Sequence, residues 1–243
     1  MNFGVYNQVI VEWGLFMTFL LIPIIIYKNK VNWKWVSIAI GIFLLHKIFL
    51  FLGVDEVYPN IIPGRYNWEG KIVAIIFLLL CAYLLFSKKS DEWGIKISQR
   101  GDAKKAGIVT VIFTGLIAVG LAWFYFSGIR KGDASDWLYQ LSMPSIEEEI
   151  YYRGIMLLIL DRAFLQKCKF AKVNWSWGAI IMIGMFYFTH VIHVDSNWNT
   201  VIIWGDFLPG FYGLLLMYIR LATGSLVFPI ILHGWINVVG YLI

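Results

Sequence analysis

The chain reads as an all-α, polytopic transmembrane helix bundle, on three observations. It is 60% hydrophobic over 243 residues, with a mean hydropathy of +0.72, more apolar surface than one soluble core of this length can hide. Eight apolar runs approach the roughly 20 residues needed to cross a hydrocarbon core. Lys and Arg are spread unevenly over the connections between those runs.

The runs are 9–27, 36–53, 71–86, 106–126, 144–164, 177–192, 201–219 and 225–243. The eight residues before the first carry no basic side chain, so that run reads as a retained span and not a cleaved signal peptide. The second run is weakened by His46 and Lys47. Residues 54–70, rich in Pro, Gly and Asn, read as an irregular connection. The third run holds Cys81, and Cys168 falls in a basic loop; two such isolated thiols form neither a disulfide framework nor a cysteine metal site. Residues 87–105 fit either a solvated basic loop or a short interfacial helix setting Trp93, Ile95 and Ile97 against Lys96, Arg100 and Lys104. The fifth run opens at Pro144 with charged residues, and the seventh is weakened by Asp206 and Pro209.

Together with Arg162 at the end of the fifth run, the odd-numbered connections hold 14 of the 20 Lys and Arg residues. The positive-inside rule then places both termini outside the cytoplasm and supports an even number of spans. The net charge of +5 is accounted for by this topology. No basic run interleaved with aromatics provides a nucleic-acid groove. With no internal repeat or domain boundary, residues 1–243 form a single membrane-embedded domain.

The chemistry concentrates in the last hundred residues. Glu147, Glu148 and Glu149 precede Ile150, Tyr151, Tyr152 and Arg153. Ionisable groups inside a membrane segment mark functional sites by default. On a helix Glu149 and Arg153 face each other, while Glu148 points about 100° away. One carboxylate is then braced by the guanidinium and the other is free to act as general base and acid. Glu147 fits an acidic residue at a helix start. Phe186 and His190 are four apart near the end of the sixth run, and His193 reads as a surface loop residue. His233 and Asn237, four apart in the last run, supply donors suited to an oxyanion. Each pair alone fits ordinary helix–helix hydrogen bonding; their joint occurrence on three helices favours a site.

These three motifs, Glu148-Glu149-Ile-Tyr-Tyr-Arg153, Phe186-Tyr-Phe-Thr-His190 and His233-Gly-Trp-Ile-Asn237, resemble those of the CAAX-protease and bacteriocin-processing (Abi) family, which includes the type II CAAX prenyl endopeptidases. Thr223-Gly224-Ser225-Leu226 also looks familial. Residues 1–105 match only as hydrophobic architecture, leaving 106–243 as the expected catalytic core, with its site in the last four helices. The resemblance implies an intramembrane glutamate-dependent endopeptidase without a cofactor. Glu148 and His190 would activate water, His233 and Asn237 would stabilise the oxyanion, and Glu149, Arg153 and Phe186 would support them. The implied substrate is a protein C-terminus or, in a prokaryotic plasma membrane, a leader peptide. The charge count puts Glu148 and His190 toward the non-cytoplasmic side, whereas eukaryotic CAAX processing faces the cytosol. Two alternatives stand beside this reading. One is a zinc metalloprotease using His190, His233 and a glutamate, which lacks a His-Glu-x-x-His motif. The other is a non-catalytic scaffold or transporter using His46, Lys47 and Asp206.

Overall fold

The computed structural model describes residues 3–54, 62, 66–86, 90–96, 105, 107–108, 111–112, 115–116, 119–120, 132–204 and 206–242. Three helices, α1 (Phe3–Ile26), α2 (Trp33–Val54) and α3 (Trp68–Phe86), form the N-terminal part. Each contains a stretch long and apolar enough to cross a membrane. A single turn, α4 (Ser90–Trp93), follows. The described residues between 105 and 120 are helical, and Val111 and Gly115 pack against the last two helices of the chain.

Helix α5 (Ala134–Glu148) starts ten residues before Pro144, where the sequence reading began its fifth span. Asp133 explains the earlier start: its side chain accepts from the backbone of Ser135 and Asp136, and Asp133 N donates to Asp136 Oδ2. This reciprocal capping box stabilises a helix start. The bonds from Ser135 and Asp136 hold the exposed Asp133 carboxyl below its ordinary pKa. Helix α5 runs directly into an eight-residue π-helical segment, Glu149–Met156, and then into α6 (Leu157–Ala163). Single π turns inside α-helices concentrate at functional sites.

Two short antiparallel hairpins modify the all-α expectation. The β1–β2 hairpin (Lys167–Phe170, Val173–Ser176) precedes α7 (Trp177–Val191), and β3–β4 (Ile192–Val194, Thr200–Ile202) follows it. The seventh expected span therefore begins later, as α8 (Leu208–Thr223), because residues 200–202 pair with 192–194 instead of entering a helix. Gly224, at φ 72°, ends α8 in the left-handed conformation that glycine adopts without penalty. Helix α9 (Val227–Leu242) closes the described chain. Helices α7, α8 and α9 are apolar but shorter than a full span. The described helices thus support a polytopic membrane bundle, with three of its members of clear spanning length. Part of the expected 106–126 span and most of the 54–70 connection lie outside the described residues, as do Ile97, Arg100 and Lys104 of the amphipathic stretch.

The α5–π–α6 rod runs through the middle of the bundle. Ile150, Tyr151, Ile155, Met156, Ile159 and Leu160 are all buried on it. The outer faces of α1 and α3 expose Ile25, Leu80, Tyr83 and Leu84, the apolar exterior that lipid requires. Gln8 on α1 binds Ile192 O and Val194 N, which fixes the β3–β4 hairpin at the N-terminal end of α1. The lysine-bearing β1–β2 hairpin lies at the other end of α7.

Candidate active site

Helix geometry spreads the three consecutive glutamates around the rod at about 100° intervals, and each meets a different wall. Glu147 turns toward α2 and α3. Its Oε1 contacts His46 Nε2, and its Oε2 accepts from Lys71 Nζ at 2.5 Å. Glu149 turns toward α8 and α9, where its Oε1 accepts from Arg153 Nη1 at 2.7 Å and lies 2.8 Å from His233 Nδ1. Glu148 lies between them. Its Oε1 accepts from the same Lys71 ammonium at 3.0 Å. Its side chain is 19% exposed, against 1% for Glu147 and 0% for Glu149.

Glu148 faces a cavity of about 180 Å³, whose other walls include Glu12, His46, Lys47, Tyr152, Thr189 and His190. These groups come from the first half of α1 and α3, the second half of α2 and the last turn of α7. Antiparallel alternation brings them to one depth, at the end of the bundle that carries β3–β4 and away from the lysines of β1–β2. The Glu148 Oε2 atom makes no hydrogen bond among the described residues. It lies 3.9 Å from His233 Nε2, beyond direct bonding distance.

His190 is the most accessible of these groups. Its Nδ1 is 2.6 Å from the carbonyl oxygen of Phe186. A carbonyl only accepts, so Nδ1 carries a proton, and in the neutral ring Nε2 presents a lone pair. Phe186 ties the helices together: its ring lies 4.4 Å from that of His190, edge-on to His233 at 5.7 Å, and under the Arg153 guanidinium at 4.2 Å. Arg153 also donates to Gly213 O at 3.3 Å.

The structure therefore brings together Glu148, Glu149, Arg153, Phe186, His190 and His233. Neither His233, which is buried, nor Asn237, one turn beyond it on α9 and half-buried, lines the cavity with Glu148 and His190. Asp206 stands apart, accepting from Leu208 N at the start of α8. His193 is exposed on β3. Among the described residues, no group of three His, Cys, Asp or Glu side chains is placed to hold a metal ion.

Sequence reasoning left several groups without a role in the site. Glu147, expected as an acidic residue at a helix start, is fully buried near the end of α5. Lys71, Glu12, Tyr152 and Thr189 were not singled out, and His46 and Lys47 counted mainly against a span. A signal was available: a charge within an apolar run needs a partner of opposite sign. The pairs are Glu12–Lys47 at 2.5 Å and Lys71 with Glu147 and Glu148.

Residues 130–239 match the family described as type II CAAX prenyl endopeptidase Rce1-like, a protease family. The matched segment contains all three motifs that carried the resemblance, while Glu12, His46, Lys47 and Lys71 lie outside it. No curated protein and no solved structure matches the chain.

Proposed function

We propose, from the Rce1-like segment 130–239, that this chain is a glutamate-dependent intramembrane endopeptidase. The observation that carries the reading is the position of Glu148. It is the most exposed of the three glutamates and lines the cavity with His190, while its buried Oε2 has no hydrogen-bond partner among the described residues.

In this mechanism water binds between Glu148 Oε2 and His190. The Glu148 carboxylate removes a proton as the water oxygen attacks the scissile carbonyl carbon, and the His190 Nε2 lone pair accepts from the water's second hydrogen and orients it. The carbonyl oxygen becomes an oxyanion, stabilised by donors from His233 and Asn237 on α9. Collapse breaks the C–N bond, and Glu148 delivers its proton to the leaving nitrogen. The products are a carboxyl group and an amine, and Glu148 is again ionised. Glu149 and Arg153 hold His233 in place. The substrate is a peptide or protein segment presented at the membrane: a C-terminus or a leader peptide. With the basic β1–β2 end at the cytoplasm, the site opens toward the opposite side.

The test is cleavage of a membrane-presented peptide library by wild type and Glu148→Gln. Wild type cleaves and Glu148→Gln falls to background; equal cleavage by both removes Glu148 from the chemistry and overturns the reading.

A further inference from the structure

The cavity is only partly built by the family-matched segment, and the remainder has its own electrostatic logic. Among the described residues, three carboxylates, Glu12, Glu147 and Glu148, and two permanent cations, Lys47 and Lys71, line it, with the Glu149–Arg153 pair behind Glu148. Two of the cations have one carboxylate each: Lys47 pairs with Glu12 and Arg153 with Glu149. Lys71 alone serves two, at 2.5 Å to Glu147 and 3.0 Å to Glu148. Glu147 is the better-satisfied partner, because its second oxygen contacts His46, whose ring is in turn stacked 3.9 Å from Tyr151. Glu148 shares the ammonium through Oε1, and its buried Oε2 is left without a hydrogen-bond partner among the described residues.

We infer that Lys71 is a positioning residue for Glu148, with Glu147 and His46 as its bracing. This inference rests on the peptidase reading above. A carboxylate held at one oxygen by a fixed cation cannot rotate freely, so the other oxygen is aimed at the water. Such orientation is worth large rate factors when the reacting atoms are held within a few tenths of an ångström. The N-terminal helices thus contribute to catalysis, and not only to anchoring in the bilayer.

Lys71→Met alone leaves two buried carboxylates without their cation, a change that threatens the fold. The informative variant is therefore Lys71→Met combined with Glu147→Gln, which removes one charge of each sign. Its partner is Lys71→Arg, which retains the cation. The substrate is a peptide selected from the wild-type library, with kcat, KM and thermal unfolding measured in the same detergent. The double variant is expected to unfold near the wild-type temperature, to keep KM within about twofold, and to lose about 100-fold in kcat. Lys71→Arg is expected to recover at least a tenth of wild-type kcat. Wild-type kcat in the double variant overturns the positioning role, as does a failure of Lys71→Arg, when folded, to exceed it. Should the double variant unfold, folded Lys71→Arg decides alone: unchanged kcat and KM support the role, and a loss of kcat to the Glu148→Gln background overturns it. A fully active Glu148→Gln instead sinks the peptidase reading itself, so the two failures are distinguishable.

Discussion

Nδ1 of His233 lies 2.8 Å from Oε1 of Glu149, the oxygen that also accepts from Arg153. An ionised carboxylate only accepts, so the His233 proton sits on Nδ1. In the neutral ring Nε2 then has a lone pair and no hydrogen. A donor at Nε2, the edge nearer Glu148, requires the doubly protonated ring.

This sets His233 and Asn237 apart as candidate oxyanion donors. If His233 donates to the oxyanion, removing its ring removes one of two donors. His233→Ala is expected to lower kcat on the order of 100-fold, the loss typical of one oxyanion donor. Library-peptide turnover and thermal unfolding of His233→Ala and Asn237→Ala check this. Turnover kept by folded His233→Ala would leave Asn237 as the oxyanion donor and make His233 a structural partner of Glu149.

The contact also depends on how closely α9 lies against α5. A Cβ added at Gly234 would come within 2.7 Å of the backbone oxygen of Leu141 and 3.3 Å of Ser145 Oγ. The first neighbour is main chain and cannot rotate away. Gly234→Ala is therefore expected to push the helices apart, at a cost of about 1–3 kcal/mol from overpacking, and to draw His233 off Glu149. Turnover should fall on the order of 100-fold, more than the loss of folded protein explains. Thermal unfolding and kcat on the same preparation separate the two effects; wild-type values in both would show that the interface tolerates a methyl group.

The side-chain pairings of the C-terminal candidate site were partly legible in sequence because they obey a helical period. Glu149 and Arg153 at i,i+4 do form a pair, and Phe186 lies beside His190 four residues on. The seventh span was misread because apolar residues 200–202 suit a strand as well as a helix, and only pairing with 192–194 decides between them. Glu147, His46 and Lys71 were missed for a different reason. Their partners lie 76 to 101 residues away in sequence, and local spacing carries no information about which distant helix faces which. Asp133 could have been found, since Asp133 and Asp136 form a start signal at the N-cap and N3 positions.

Metal dependence separates the glutamate mechanism from a zinc enzyme. Nδ1 of both histidines is engaged, with Phe186 O for His190 and with Glu149 for His233. Peptidase activity is expected to survive dialysis against a strong chelator unchanged. Loss of activity that zinc alone restores would move His190 and His233 into the role of ligands.

The last prediction concerns the pair that braces His233. Arg153 is 1% exposed, donates Nη1 to Glu149, reaches Gly213 O with Nη2 and covers the Phe186 ring at 4.2 Å. Arg153→Met leaves Glu149 buried beside His233 without its cation, a loss of about 3–5 kcal/mol for breaking one side of a buried pair. Arg153→Lys keeps the charge but gives up the planar fork and the ring contact, so its loss should be smaller. Removing both charges together, as Glu149→Gln with Arg153→Met, should recover most of the lost stability, because no buried charge is then unmatched. Activity should not return with it. A glutamine at 149 offers His233 a weaker, uncharged acceptor, and the proton on Nδ1 is no longer held by a carboxylate. Thermal unfolding and turnover of the three variants give the answer: a double variant that is both stable and fully active would reduce Glu149 and Arg153 to a packing element with no part in orienting His233.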